Sequence, residues 1–125
     1  PNNASVVMTL VTHGVSVLLL GDIEREAGAQ VLTMLQQTSG AVPAGGFDVV
    51  KVAHHGSANA DPRLMDWVDG AVALVSVGAG NDYGHPSATT MTALRREGYA
   101  VWRTDEHGSV AVVEGPSGLG VVGQR

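Results

Sequence analysis

The sequence of 125 residues contains no cysteine. This absence excludes disulfide bonds, zinc sites built from thiolates and cysteine nucleophiles, and it leaves the redox compartment open. Aromatic residues make up only 4% of the chain, so valine, leucine, alanine and methionine must form most of the core. No apolar run approaches the roughly 20 residues that a membrane-spanning helix needs. The length suits one compact domain, and because the chain starts without methionine we expect a piece of a longer protein.

Positive charge is also scarce, because seven lysines and arginines face twelve aspartates and glutamates, for a net charge of −5. This balance disfavours a protein that binds nucleic acids non-specifically by covering phosphates with basic side chains. Bound metal ions can supply positive charge locally at a phosphodiester. The composition therefore weakens the case for simple DNA binding and leaves DNA chemistry open.

Apolar segments and turn residues alternate along the chain. Segments rich in β-branched residues predict strands at 5–11, 15–20, 47–53, 71–77, 99–103 and 109–114. Helical spacing and capping residues predict helices at 23–37, 63–68 and 88–97, the second capped by Asp61 and the third by Ser87. This order predicts an α/β fold with one mixed sheet and helices on one face. The last two strands are expected to form a hairpin, and the glycine-rich segment 115–125 a loosely ordered tail.

Three polar clusters each follow an apolar strand. They are Asp22, the pair His54 and His55, and the segment 81–85 that ends in His85. Ligands of α/β sheets gather outside the carboxyl ends of the strands, so neighbouring strands would bring these side chains together. Imidazole and carboxylate are ordinary ligands of zinc and manganese. The sequence therefore predicts a shared site at one edge of the sheet.

Each cluster also has a purely structural interpretation. Asp22 could be the N-cap of the first helix. The histidine pair could serve hydrogen bonds within a loop, and His85, between a glycine and a proline, could shape a turn. The coincidence of three clusters at strand ends favours the functional interpretation.

Several segments together resemble the C-terminal metallo-β-lactamase-fold domain of the ComEC family of DNA-uptake (competence) proteins. In chain order, these segments are 2–7, 21–24, 50–57, 76–86 and 103–109. The resemblance implies that residues 1–114 form the C-terminal half of such a domain, which is half of an αββα sandwich. It also implies two divalent metals, zinc or manganese, in the intact domain.

The resemblance implies a role for each candidate residue. Asp22 would be the carboxylate that bridges the two metals, and His85 the last histidine ligand of the second metal. One of His54 and His55 would contact the phosphate or protonate the leaving oxygen; the choice stays open and His55 is preferred. Ser57 and the amide of Gly56 would be auxiliary donors.

The motif His-x-His-x-Asp-His, which supplies most metal ligands in this superfamily, is absent from the chain. We therefore expect a metal-dependent phosphodiesterase or nuclease-like parent domain and an isolated chain that is inactive and binds metal weakly or not at all. The parent's partners would be DNA, the N-terminal half of the domain and a membrane channel, with the domain outside the bacterial plasma membrane and the isolated chain soluble. The alternatives are a hydrolase of another phosphodiester and a non-catalytic module that guides DNA or assembles the channel. The isolated chain is also expected to self-associate through an uncovered sheet face.

Overall fold

The computed structural model describes residues 2–125, in which strands and helices alternate along most of the chain. The strands are β1 Met8–Thr12, β2 Val15–Leu19, β3 Val49–Lys51, β4 Val72–Val75, β5 Ala100–Arg103, β6 Val110–Gly115 and β7 Gly118–Gly123. The α-helices are α1 Arg25–Gln37, α2 Pro62–Val68, α3 Ala88–Arg96 and the single turn α4 Thr104–His107. Short 3-10 turns span Asn2–Ala4 and Ala53–Gly56. None of the helices in this range is both long and apolar enough to cross a membrane.

Five of the strands form one mixed sheet in the order β1-β2-β3-β4-β5. β1 runs antiparallel to β2, whereas β2, β3, β4 and β5 are mutually parallel. The α/β class and the mixed sheet predicted from the sequence are therefore confirmed. Because β2, β3 and β4 point the same way, the segments after them emerge at one edge of the sheet.

The helices α1, α2 and α3 close one face of this sheet over β2, β3 and β4. Leu18, Val50 and Ala73 are register neighbours on β2, β3 and β4, and each is fully buried. They share a core with apolar side chains of the three helices, namely Ala27, Leu32, Leu64, Met65, Val68, Met91 and Leu94. The expectation of helices on one face is confirmed.

The predicted caps of the second and third helices are also present. The side chain of Asp61 accepts a hydrogen bond from the amide of Arg63 at 3.0 Å, at the start of α2. The hydroxyl of Ser87 accepts one from the amide of Thr90 at 3.1 Å, at the start of α3. In both cases the cap occupies one of the amide groups that a helix leaves unpaired at its first turn.

The end of the chain differs from the prediction. β5 pairs with β4 inside the large sheet, and β6 pairs with β7 in a separate antiparallel hairpin. The predicted hairpin between the segments 99–103 and 109–114 is therefore wrong. Arg103 forms ion pairs with Asp105 and Glu106, at 2.6 Å and 2.8 Å, and these contacts accompany the helical turn α4 that separates β5 from β6.

The glycine-rich segment 115–125 is not a loose tail, because it contains β7. Glycine here allows close packing: a Cβ atom at Gly123 would lie 2.9 Å from Cβ of His107 and 3.5 Å from the ring of Trp102. The amide of Gln124 also donates to the carbonyl oxygens of His107 and Ser109, at 2.9 Å in each case. Composition indicated flexibility, whereas pairing and packing make the segment a strand.

The β6–β7 hairpin lies over part of the second sheet face. Between the two remains a cavity of about 290 Å³ lined by Thr12, His13, Val15, Val17, Val49, Leu74, Val112, Val113, Glu114 and Leu119. The hairpin does not cover β1, where Met8 and Leu10 are 51% and 50% exposed. The second face is therefore only partly closed.

Candidate functional site

Asp22 lies in the turn after β2, and the amino-terminal segment fixes this turn. Its amide donates to the hydroxyl of Ser5 at 3.2 Å. A Cβ atom at the preceding Gly21, whose φ is +58°, would lie 3.0 Å from Cβ of Ser5 and from the carbonyl oxygen of Val6. Glycine therefore allows the two segments to touch, and the side chain of Asp22 remains 44% exposed at the sheet edge.

The interpretation of Asp22 as a helix cap is wrong. Helix α1 begins at Arg25, its N-cap residue is Glu24, and no side chain caps it through a hydrogen bond. The helix therefore starts two residues later than the sequence predicted. The carboxylate of Asp22 stands before the helix and faces the histidine turn instead.

His54 and His55 form a strained turn directly after β3. Both have left-handed backbone angles, with φ of 45° and 54°. Such conformations cost of order 1 kcal/mol or more for residues with a side chain, and they persist only where surrounding contacts hold them. Here the amide of His54 donates to the carbonyl of Gly21 at 3.0 Å, and the amide of Ser57 donates to the carbonyl of His54 at 2.9 Å. This backbone conformation places the two adjacent imidazole rings at the sheet edge.

The ring of His55 is oriented by a single short contact. Its Nδ1 lies 2.6 Å from the carbonyl oxygen of Ser76, which can only accept, so Nδ1 carries the proton. Its Nε2 lies 3.7 Å from Oδ1 of Asp22. An imidazole whose Nδ1 donates to a backbone carbonyl presents Nε2 in the manner usual for a metal-binding histidine.

His54 occupies a more enclosed position. Its Nδ1 is buried without a hydrogen-bond partner and lies 3.7 Å from Oε1 of Glu24. Glu24 in turn accepts a hydrogen bond from Asn2 at 3.0 Å, and its amide donates to Asn3 at 3.1 Å. Sequence reasoning did not single out Glu24 as a site residue, because its only signal was its place two residues after Asp22.

His85 reaches the same edge from the loop after β4. Its ring centroid lies 5.3 Å from that of His54, which is 6.2 Å from that of His55. The structure thus brings Asp22, His54, His55 and His85 into one series of neighbours, together with Glu24. We call these five residues the rim cluster. The predicted convergence of the three strand-end segments is present.

Ser57 has a different environment from the rim cluster. Its side chain is buried, and its hydroxyl accepts a hydrogen bond from the amide of Asn59 at 3.1 Å. Its backbone carbonyl accepts a hydrogen bond from Thr90 at 2.9 Å. The neighbouring Gly56 packs tightly, since a Cβ atom there would lie 2.7 Å from Cβ of Pro86. These contacts join the histidine turn to the loop that carries His85.

Lys51, the single lysine of the chain, is on β3 three residues before His54. Its register neighbours are Leu19 and Leu74, and its ammonium group donates to the carbonyl of Val52 at 3.0 Å. Burial lowers the pKa of Lys51, and the nearby carboxylate of Asp22 opposes that shift. Lys51 thus adds a partly buried cationic group next to the rim cluster.

The donor atoms suit a metal ion only in part. Zinc binds imidazole nitrogen and carboxylate oxygen at about 2.0 to 2.2 Å, so the 3.7 Å between Asp22 and His55 is close to a ligand–ligand separation in a tetrahedral shell. Within residues 2–125, however, no three histidine, aspartate or glutamate side chains are arranged to hold an ion together. Residues 2–125 therefore offer candidate ligands in Asp22 and the neighbouring histidines, His85 among them, and not a complete shell.

Comparison with known proteins gives a related sequence. Over 110 residues, which make up 87% of this chain, the sequence is 32% identical to ComE operon protein 3 of Bacillus subtilis (strain 168). The matched part is 13% of that protein, so the chain corresponds to a small portion of its length. No protein-family model and no solved structure matches the chain. The chain is therefore a homologue of one segment of a ComE operon protein.

Proposed function

We propose that the chain forms part of a metal-dependent phosphodiesterase site, of nuclease type, in a bacterial DNA-uptake protein. The observation that supports it most directly is the placement of the Asp22 carboxylate 3.7 Å from Nε2 of a histidine whose other nitrogen is fixed by a backbone carbonyl. Similarity to a ComE operon protein supports the biological setting. The domain would be half of a metallo-β-lactamase-type sandwich attached to a membrane channel, outside the plasma membrane.

In this proposal Asp22 and His85 would hold divalent cations, zinc or manganese. When bound, such cations would stabilise the negative charge of the phosphate oxygens. His55 would act through Nε2, because its Nδ1 donates to the carbonyl of Ser76. To donate to the phosphate or protonate the leaving oxygen, the ring must carry a second proton on Nε2, which it would transfer to that oxygen. Lys51, the single lysine of the chain, supplies an ammonium group that partly offsets the carboxylate of Asp22.

Two candidate ligands do not make a durable metal site, so the remaining ligands would come from another part of a longer polypeptide. We expect the isolated chain to show no cleavage of single- or double-stranded DNA above background with added zinc or manganese. Strong metal-dependent cleavage by the chain, abolished in Asp22→Ala, would contradict this expectation and mean that a second copy completes the site.

The decisive experiment uses the product of the complete coding region. We expect Asp22→Asn and His85→Gln each to lower DNA cleavage at least about 100-fold, because each removes a ligand of the reacting centre. The matched control is His13→Gln, which changes an exposed histidine in the β1–β2 turn and should leave cleavage unchanged. Equal cleavage by wild type and Asp22→Asn would refute the proposal.

A non-catalytic module that guides DNA or assembles the channel is the second candidate. It is favoured by the lack of a three-ligand group among residues 2–125. The coding sequence upstream of Pro1 separates the two candidates. A His-x-His-x-Asp-His motif there supports the enzyme, and its absence supports the module.

A further inference from the structure

Tyr83 stands out among the few aromatic side chains of this protein. The chain has two tyrosines, two tryptophans and one phenylalanine. Tyr99 is 4% exposed, and its hydroxyl donates to the carbonyl of Met65 at 2.7 Å and accepts from the amide of Gly70 at 3.0 Å. Tyr83 is 84% exposed, the most exposed large apolar side chain among the described residues. Tyr99 has a structural role, whereas core packing does not explain the position of Tyr83.

The loop that carries Tyr83 is tied together by one side chain. Asn81 donates to the carbonyl oxygens of Gly78 and His85, at 3.0 Å and 2.7 Å. The side-chain oxygen Oδ1 of Asn81 accepts hydrogen bonds from the backbone amides of Tyr83, at 3.2 Å, and His85, at 3.3 Å. The backbone on both sides of Tyr83 is therefore fixed, so a ligand that contacts the ring loses little loop entropy on binding.

The ring of Tyr83 continues the line of rings in the rim cluster. Its centroid lies 6.5 Å from that of His85, and the two planes are only 20° apart. His85 leads on to His54 and His55. A molecule whose phosphate lies at the histidines would therefore have its neighbouring group beside the face of Tyr83.

We propose that Tyr83 is a stacking platform for a nucleobase of single-stranded nucleic acid. The inference rests on the proposed function, since it places a base beside the phosphodiester at the rim cluster. An exposed aromatic face binds any base through stacking, and this contact needs no cationic side chain. That property fits a chain with a net charge of −5, in which phosphate contacts by lysine and arginine are scarce. Tyr83 would then select nucleic acid over phosphodiesters that lack bases.

The test compares two 12-residue oligonucleotides with the same number of phosphates, oligo-dT and a fully abasic chain. Their binding is followed by ¹⁵N NMR through the backbone amide shifts of residues 78–85. We expect the wild-type chain to bind oligo-dT on the order of tenfold more tightly than the abasic chain, and Tyr83→Ala to remove this difference. Tyr83→Phe and Tyr83→Trp should keep it, because they keep an aromatic face.

Trp67→Ala is the matched control, because Trp67 is a 39% exposed aromatic residue on α2, outside the rim cluster. It should bind both oligonucleotides as the wild type does. Three results would overturn the inference: an undiminished base preference in Tyr83→Ala, equal binding of both oligonucleotides by the wild type, or no binding of either. A glycerol-phosphate polymer that competes as well as oligo-dT would also overturn it.

The inference and the proposed function can fail separately. Base preference that depends on Tyr83, in a complete protein that cleaves no phosphodiester, supports the stacking platform and refutes the nuclease. Metal-dependent cleavage that is equal for oligo-dT and the abasic chain, in wild type and Tyr83→Ala alike, supports the nuclease and refutes the platform.

Discussion

The two faces of the five-stranded sheet show how differently the same apolar strands can be covered. On the helical face, Leu18 and Val50 are fully buried under α1, α2 and α3. On the other face, Val49 is also buried, but the hairpin leaves a cavity beside Val17, and Leu10 is half exposed. The strands carry apolar residues on both faces, so the sequence alone predicts that both faces are equally suited to burial. The helical face provides most of the core, whereas the hairpin face retains apolar surface that can contact another chain.

The largest expected effect is on stability, at the helical face. Leu18→Ala should lower the free energy of unfolding by about 2 to 5 kcal/mol, because it leaves a cavity in a close-packed core. Leu10→Ala, the same change at a half-exposed position of β1, should cost less than about 1 kcal/mol. Urea unfolding followed by circular dichroism measures both. Similar losses in the two variants would mean that the faces are not covered as differently as their exposure indicates.

An intermediate effect is expected where Ser16 and Asp48 join β2 to the start of β3. The Ser16 amide and hydroxyl donate to Oδ2 of Asp48 at 2.7 Å and 2.8 Å, and the Asp48 amide donates back to the hydroxyl at 3.0 Å. Ser16→Ala removes both hydroxyl bonds and should cost about 1 to 2 kcal/mol of unfolding free energy. Ser109→Ala, at an exposed serine, is the control and should cost almost nothing.

The loss in Ser16→Ala should also depend on pH. The hydrogen bonds from the Ser16 amide and hydroxyl lower the pKa of Asp48 below its ordinary value of 3.8. A lowered folded-state pKa gives stability that is present above the unfolded value and disappears as pH falls through the folded value. The difference between wild type and Ser16→Ala should therefore stay constant from pH 7 to about 4 and shrink below that. A difference that grows in acid would show that Asp48 is not the titrating partner.

Substitutions on β1 are expected to change the free energy of unfolding least, but to change the monomer–dimer equilibrium of the chain. Met8 and Leu10 face the hairpin side and are half exposed, and β1 has no charged or proline residue to prevent pairing with another chain. We expect the isolated chain to form a two-fold dimer at micromolar concentration, and Leu10→Lys to shift it toward monomer in sedimentation experiments. Thr9→Lys, on the opposite face of the same strand, should leave the dimer intact if the face and not the strand edge makes the contact. A wild-type monomer that binds no hydrophobic dye would contradict the prediction.

The candidate site could be predicted from the sequence where it depends on strand direction. Apolar segments that lead into Asp22, the histidine pair and His85 predicted three neighbouring strand ends, and parallel pairing brings these residues together. The approach of Glu24 to His54 could not be predicted. It depends on hydrogen bonds between Glu24 and the residues Asn2 and Asn3, which lie about twenty positions earlier in the chain.

The sequence by itself determined the features that depend on local physics. Alternating apolar segments specified the strands, and Asp61 and Ser87 specified the starts of two helices. The scarcity of lysine and arginine limited the number of basic side chains that can contact a phosphate. Only the tertiary structure decided that Asp22 faces His55 instead of capping α1, and that β6 pairs with β7 and not with β5. These outcomes are choices between local arrangements of similar free energy. Contacts between distant segments select one of them, and a single sequence does not display those contacts.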